Sequence, residues 1–141
     1  MTQSRNDVTF KGRYLGILFL VTVQVIVGFI HVIFGSALLL GLFSLISPLI
    51  STVYAVYTFV YGSFSLVFAY LLWINKRMGW IGSVGVSSFV IVVDTLAVLG
   101  LSNILDIPAP GFAASGEIPY SLFVVIYLIQ NHVMSKYEIN L

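Results

Sequence analysis

Residues 14–75 read YLGILFLVTVQVIVGFIHVIFGSALLLGLFSLISPLISTVYAVYTFVYGSFSLVFAYLLWIN, a run without a single Asp, Glu, Lys or Arg. A helix needs about 20 apolar residues to cross the hydrocarbon core of a bilayer, so this run is long enough for at least two crossings. The chain of 141 residues has 60% hydrophobic and 8% charged residues and a mean hydropathy of +1.08. Soluble domains carry about 25% charged residues, so the composition predicts a membrane protein.

The breaks in the apolar pattern predict four transmembrane helices, at about residues 14–42, 48–74, 79–101 and 118–135. Ser47 and Pro48 are typical of an N-cap and a first helical residue. Glu117 places a carboxylate beside the positive start of the last helix. Residues 102–117 form the predicted outer loop. We therefore expect a single all-α domain over residues 1–141, a four-helix transmembrane bundle.

The basic residues predict the orientation of this bundle. All six lie in the N-terminal tail, the second connection or the C-terminal tail: Arg5, Lys11, Arg13, Lys76, Arg77 and Lys136. Basic residues mark cytoplasmic segments of membrane proteins. We expect a multi-pass protein of the cell membrane with both termini in the cytoplasm, and with Asp106 and Glu117 on the outer side.

Polar side chains recur at helical spacing on one face of each predicted helix. Helical phase and depth predict an intramembrane polar cluster in the outer half of the bundle, formed by His31, Asp94, Tyr54, Tyr57, Thr58 and Tyr120. A secondary polar stripe contains Gln24, Tyr61, Ser87 and Tyr127. Because polar groups that face hydrocarbon are costly, both sets are expected to face the interior of the bundle.

Asp94, in the stretch SSFVIVVDTLAVLG, has two interpretations. A charged residue at the centre of a membrane helix costs about 2.5 to 3.5 kcal/mol, whereas one interhelical hydrogen bond averages about 0.6 kcal/mol. One interpretation is a polar clamp that holds the helices in register. The other is a proton or cation site that is reached from outside and shared with His31. The sequence favours the clamp, because one Asp and one His are few groups for transport.

Small and aromatic residues predict contacts along the helices. Close helix packing is expected at the glycines Gly28, Gly35, Gly79, Gly82 and Gly85. For Gly79, Gly82 and Gly85, a contact with another subunit is the alternative to packing within the chain. Trp73, Trp80 and Tyr137 are expected to anchor the helices at the inner membrane interface.

The sequence carries no motif of a known catalytic site. It has no cysteine, phosphate-binding loop, nucleophile elbow, zinc-protease helix or dinucleotide fingerprint. We therefore expect no enzymatic activity, no catalytic residues, no cofactor and no metal. A net charge of +1 argues against a nucleic-acid partner.

Three short motifs resemble a group of small four-helix membrane proteins that is common in archaea and largely uncharacterised. The motifs are Arg-Tyr-Leu-Gly at residues 13–16, Arg-Met-Gly-Trp at residues 77–80, and Tyr-Leu followed by His-Val at residues 127–133. The resemblance implies an archaeal cytoplasmic-membrane protein and brings no established catalytic residues. The chain departs from the pattern at Tyr14, in its longer outer loop and at Asp94.

Two functions follow as expectations. The first is a non-enzymatic accessory or scaffolding subunit that packs against a larger membrane complex, for which an archaeal respiratory oxidase or a membrane monooxygenase is a candidate host. The second is a small oligomeric transporter or channel, coupled to protons or cations, that uses Asp94 and His31. The expected partners are the lipid bilayer and either a hetero-oligomeric membrane complex or further copies of the chain.

Overall fold

The computed structural model describes residues 9–10, 13–42, 52–101 and 111–139. Its four long helices are α1, Leu15–Leu39; α2, Thr52–Trp73; α3, Arg77–Val98; and α4, Gly111–Leu128. A short helix, α5, covers Asn131–Lys136. Two two-residue strands, β1 (Thr9–Phe10) and β2 (Arg13–Tyr14), pair in antiparallel fashion directly before α1.

Three of the helices, α1, α2 and α3, are long and apolar enough to cross a membrane. The fourth contains a shorter apolar segment, Ala114–Leu128. These three helices support the prediction of an all-α membrane protein. A fourth span and the orientation of the termini stay predictions.

The start of α4 differs from the expected one, since the helix begins at Gly111 and not at residue 118. Pro119 suggests a first helical residue in the sequence, but the helix continues on both sides of it. Proline lacks the amide that would bond to the carbonyl four residues earlier, and its ring crowds that carbonyl. A helix continues past a proline where neighbouring groups satisfy the freed carbonyl. Glu117 therefore lies inside α4, while residues 102–110 of the predicted loop are outside the described residues.

The connection before α2 also lies outside the described residues. It covers residues 43–51, which include Ser47 and Pro48. The predicted start of the second helix at residue 48 therefore lies outside the described residues. Before this connection, α1 ends in a tight turn. Gly41 has a φ of 70°, and the amide of Leu42 donates to the carbonyl of Ala37 at 3.0 Å. This is the Schellman arrangement, in which a left-handed glycine terminates a helix.

The long helices pack in chain order, α1 on α2, α2 on α3 and α3 on α4. Side chains also join α1 to α4, where the rings of Phe19 and Phe123 meet edge to face with centroids 6.2 Å apart. Glycine allows two of the helices to approach closely. A Cβ atom added at Gly35 would lie 2.6 Å from the backbone nitrogen of Phe59, so α1 and α2 are in backbone contact there.

One end of the bundle is closed by an apolar seal formed by α5 and the residues after it. The seal contains the buried side chains Ile17, Leu20, Leu72, Trp80, Leu128, Val133 and Tyr137. The indole Nε1–H of Trp80 donates to the backbone carbonyl of Leu128 at 2.8 Å. The hydroxyl of Tyr137 donates to the backbone carbonyl of Leu72 at 3.1 Å. The first bond ties the start of α3 to the end of α4, so these two helices run antiparallel. The second ties the residue after α5 to the end of α2.

Two of the predicted interface anchors are part of this seal. Trp80 is 8% exposed and Tyr137 is 1% exposed, so both are core residues, whereas Trp73 is 37% exposed. The seal can bury the two polar aromatic side chains because each donates a hydrogen bond to a backbone carbonyl near a helix end.

Candidate functional site

His31 on α1 and Glu117 on α4 form a hydrogen-bonded pair across the bundle. The Nε2 atom of His31 lies 3.2 Å from Oε1 of Glu117, and the exposed fraction of each side chain is 17%. The other ring nitrogen, Nδ1, lies 2.8 Å from the carbonyl oxygen of Val27, one turn earlier in α1. Both ring nitrogens of His31 are therefore engaged.

The contact with Val27 determines the chemistry of the pair. A carbonyl only accepts hydrogen bonds, so the Nδ1 of His31 must carry a proton and donate it. A second proton then lies between Nε2 and Oε1, either on the imidazole or on the carboxyl group of Glu117. The geometry thus describes one proton shared by a histidine and a glutamic acid, both of them in partial contact with the surroundings.

Asp94 on α3 lies beside this pair and is fully buried. Its exposed fraction is 0%. Its carboxyl group lies within hydrogen-bond reach of the Glu117 side chain, although neither oxygen makes a well-formed hydrogen bond among the described residues. Its charged neighbours are Glu117 and His31, both of which interact with it electrostatically. Two carboxyl groups and one imidazole, contributed by α3, α4 and α1, therefore converge in one polar region, which we call the proton cluster.

Tyrosines of α2 surround the proton cluster. The ring of Tyr61 meets the His31 ring edge to face with centroids 4.7 Å apart, and Tyr57 stacks on Tyr61 at 6.4 Å. The hydroxyl of Tyr57 is buried without a hydrogen-bond partner among the described residues and interacts electrostatically with Asp94. Tyr54 interacts with Asp94 as well. The α2 face thus orients the imidazole and places a phenol near the buried carboxyl group.

The remaining members of the predicted cluster have other surroundings. Thr58 is 1% exposed and forms a hydrogen bond with Tyr54, one turn away. Tyr120 is half-buried against the apolar seal and interacts electrostatically with Tyr61. The structure therefore brings His31, Asp94, Tyr54 and Tyr57 together, whereas Tyr120 lies on the side of the seal.

An interhelical clamp exists, but it is formed by the secondary stripe. The side-chain amide of Gln24 on α1 donates to the backbone carbonyl of Ser65 at 3.2 Å and to the hydroxyl of Ser83 at 3.1 Å. Gln24 is 4% exposed and Ser83 is 1% exposed. One amide group thus joins α1, α2 and α3, which is the role that the sequence assigns to Asp94 under the clamp interpretation.

The other predicted positions also divide by their surroundings. Ser87 is buried on the same stripe of α3 as Asp94. Tyr127 packs over Gly16, because a Cβ atom added at Gly16 would collide with its ring. A Cβ atom added at Gly85 would meet no atom within 4 Å, so this glycine faces outward. The other predicted helix-packing glycines all lie at close contacts with neighbours on α2: Gly28, Gly35, Gly79 and Gly82.

Glu117 is a candidate site residue that the sequence does not predict. The sequence places it in the outer loop, because the last helix is predicted to begin at residue 118. A signal for it was present, because Glu117, Tyr120 and Val124 are spaced by three and four residues, as expected for one helix face. Gly62 is a further close-contact glycine that is absent from the predicted helix-packing set, and it faces the backbone of Gly28.

The proton cluster has no metal-binding geometry. Across the described ranges, no group of three or more His, Cys, Asp or Glu side chains is arranged to hold a metal ion. Comparison of the chain with protein families, with curated proteins and with solved structures gives no match. The resemblance to the archaeal membrane proteins therefore stays a prediction.

Proposed function

We propose that this chain is a small membrane protein that translocates protons through the cluster of His31, Glu117 and Asp94. The observation that carries the proposal is the pair of contacts made by His31, which places one exchangeable proton between Nε2 and Glu117. Ionisable residues within membrane helices are rare and mark proton or ion pathways.

The difference in burial between the His31–Glu117 pair and Asp94 supports a direction in which protons enter the site. Glu117 and His31 are partly exposed, whereas Asp94 beside them is fully buried. A proton that reaches the pair from the surroundings therefore has a carboxyl acceptor deeper in the bundle.

The donor set favours a proton over a metal cation. A hard cation such as Ca²⁺ takes 6 to 8 oxygen ligands, and the described part of the chain contains no such group of carboxylates. Proton transfer needs only a donor and an acceptor within hydrogen-bond reach, which the His31–Glu117 contact provides.

The test is a proton-flux measurement on the purified protein in vesicles with an imposed pH gradient. Asp94→Asn is expected to abolish the flux, because the amide keeps the shape of the side chain but has no exchangeable carboxyl proton. Glu138→Gln is the matched control, since Glu138 is an exposed carboxylate after α5. Equal flux through wild type and Asp94→Asn would contradict the proposal. Flux that follows a Na⁺ or K⁺ gradient at constant pH would contradict the choice of ion.

A second candidate function is the accessory subunit of a larger membrane complex. A groove of about 260 Å³ opens between α2 and α3 and is lined by apolar atoms around Gly85, Phe64 and Phe89. In a lipid-facing surface, a small residue between aromatic side chains allows close approach of another helix. Purification in mild detergent tests this: a co-purifying membrane subunit supports it, and recovery as a homo-oligomer alone contradicts it.

A further inference from the structure

A second site of unsatisfied polarity lies in α4, below the proton cluster. Ser121 is 0% exposed, and its Oγ atom has no hydrogen-bond partner among the described residues. An unsatisfied buried hydroxyl costs about 1 to 3 kcal/mol, and buried groups of this kind typically bind internal water. Ser121 follows Glu117 by four residues, so the two lie on the same face of α4.

The register between α3 and α4 places a second serine at the same height. The hydrogen bond from Trp80 to Leu128 aligns these antiparallel helices at the seal. Ser87 lies seven residues after Trp80 on α3, and Ser121 lies seven residues before Leu128 on α4. Seven residues are close to two helical turns, so both serines lie at the same distance from this bond. Both serines are buried, so two hydroxyl groups lie at one level in the interior of the bundle.

These serines occupy the interval between the proton cluster and the clamp. Asp94 lies two turns above Ser87 on the same buried face of α3, a rise of roughly 10 Å. One turn below Ser87 is Ser83, which is hydrogen-bonded to Gln24. This interval is short enough for a few hydrogen-bonded water molecules to bridge beside the buried side chain of Val90. The apolar seal begins beyond the clamp.

We propose that Ser121 and Ser87 bind water beneath Asp94 and that this water carries protons between the proton cluster and the level of the Gln24–Ser83 bond. The inference rests on the proposed function. One proton leaves the Asp94 carboxyl group for the water chain, and one proton from the His31–Glu117 pair replaces it. Only O–H and N–H bonds are exchanged, so each group returns to its starting state. The path stops at the seal, and passage beyond it requires the seal to open.

The experiment compares hydroxyl deletions in the vesicle assay. Ser121→Ala and Ser87→Ala are each expected to lower proton flux about tenfold, equivalent to about 1.4 kcal/mol on the barrier. Ser88→Ala is the control, because Ser88 is the next residue of α3 but is exposed on the outer surface of the bundle. Ser87→Thr keeps the hydroxyl and is expected to retain the wild-type flux, which a loss of packing alone would not explain.

The outcomes separate this inference from the proposed function. Wild-type flux in both alanine variants, together with an inactive Asp94→Asn variant, would overturn the water path and leave the proposed function standing. Wild-type flux in Asp94→Asn would overturn both. An equal loss of flux in Ser88→Ala would also overturn the path, because it would show that any serine deletion in α3 has the same effect.

Discussion

His31 and Glu117 are joined by a hydrogen bond whose proton can reside on either residue. The carbonyl of Val27 occupies the Nδ1–H of the imidazole, so the Nε2 atom meets Glu117 either as a donor to a carboxylate or as an acceptor from a carboxylic acid. The two states have the same net charge. A proton can therefore move across this contact without changing the charge of the bundle, which lowers the cost of proton exchange in an apolar environment.

Replacing Glu117 by Gln should trap one of these states. The amide can donate a hydrogen bond to Nε2 but has no exchangeable acid proton, so His31 is expected to stay neutral with its proton on Nδ1. Proton flux should fall about a hundredfold, within the range for loss of a general acid or base. The ¹⁵N chemical shifts of labelled histidine report the tautomer. A His132→Gln background leaves His31 as the only histidine, since the chain has 2.

The opposite tautomer would contradict this account of the pair. A neutral His31 with its proton on Nε2 would mean that Val27 does not fix the imidazole. Unchanged flux in Glu117→Gln, with the Glu138→Gln control also active, would remove Glu117 from the path.

Gln24 should contribute to stability and not to the acid-base chemistry. Gln24→Leu removes the donor to Ser65 and Ser83 and is expected to lower the free energy of unfolding by about 1 to 2 kcal/mol, the range for interhelical hydrogen bonds in model membrane peptides. Thr22→Val is the control, because Thr22 is exposed and bonds only to Leu18 of its own helix. Unfolding in mixed detergent micelles measures the difference. Equal stabilities of Gln24→Leu and wild type would show that the clamp contributes nothing.

Sequence periodicity predicts the apolar helices well, because each stretch that crosses a membrane must satisfy its backbone internally and present apolar side chains. For this reason α1, α2 and α3 lie where hydropathy places them. The start of α4 was not predictable from the same signal. Pro119 is typical of a helix start, and the residues before it, including Glu117, are too polar and too rich in glycine to extend an apolar pattern.

The composition of the candidate site was predictable only in part. Helical phase predicts that Asp94 and His31 face the interior, but it does not determine which polar group on a neighbouring helix meets them. The pairing of Gln24 with Ser83, and of His31 with Glu117, depends on the register and rotation of the packed helices. Those follow from close contacts such as Gly62 on Gly28, which no single-sequence pattern specifies.

The proposed orientation can be tested with single cysteines, because the native chain has none. Ser135→Cys in α5 and Leu99→Cys after α3 are both at exposed positions. If the termini are cytoplasmic, a membrane-impermeant maleimide added to intact cells should label Leu99→Cys and leave Ser135→Cys unmodified. Labelling should become equal when the membrane is permeabilised. The reverse pattern in intact cells would invert the topology and place the partly exposed His31–Glu117 pair on the cytoplasmic side.

The glycines of the bundle should differ sharply in their tolerance of a methyl group. In Gly35→Ala the new Cβ atom would lie 2.6 Å from the backbone nitrogen of Phe59, which cannot rotate away as a side chain would. The helices must then separate, and overpacking of this kind typically costs about 1 to 3 kcal/mol.

In Gly85→Ala the Cβ atom meets nothing within 4 Å, so only helix propensity changes, which favours alanine over glycine by about 1 kcal/mol. We expect Gly35→Ala to be less stable than wild type and Gly85→Ala to be as stable or more stable. Gly28→Ala should lie between them, since the two nearest atoms, at 2.9 Å, belong to the flexible side chain of Leu66, and the nearest backbone atom, the oxygen of Gly62, is farther away at 3.1 Å. Detergent-unfolding curves of the three variants measure this order, and a Gly85→Ala variant as unstable as Gly35→Ala would show that α3 is packed differently.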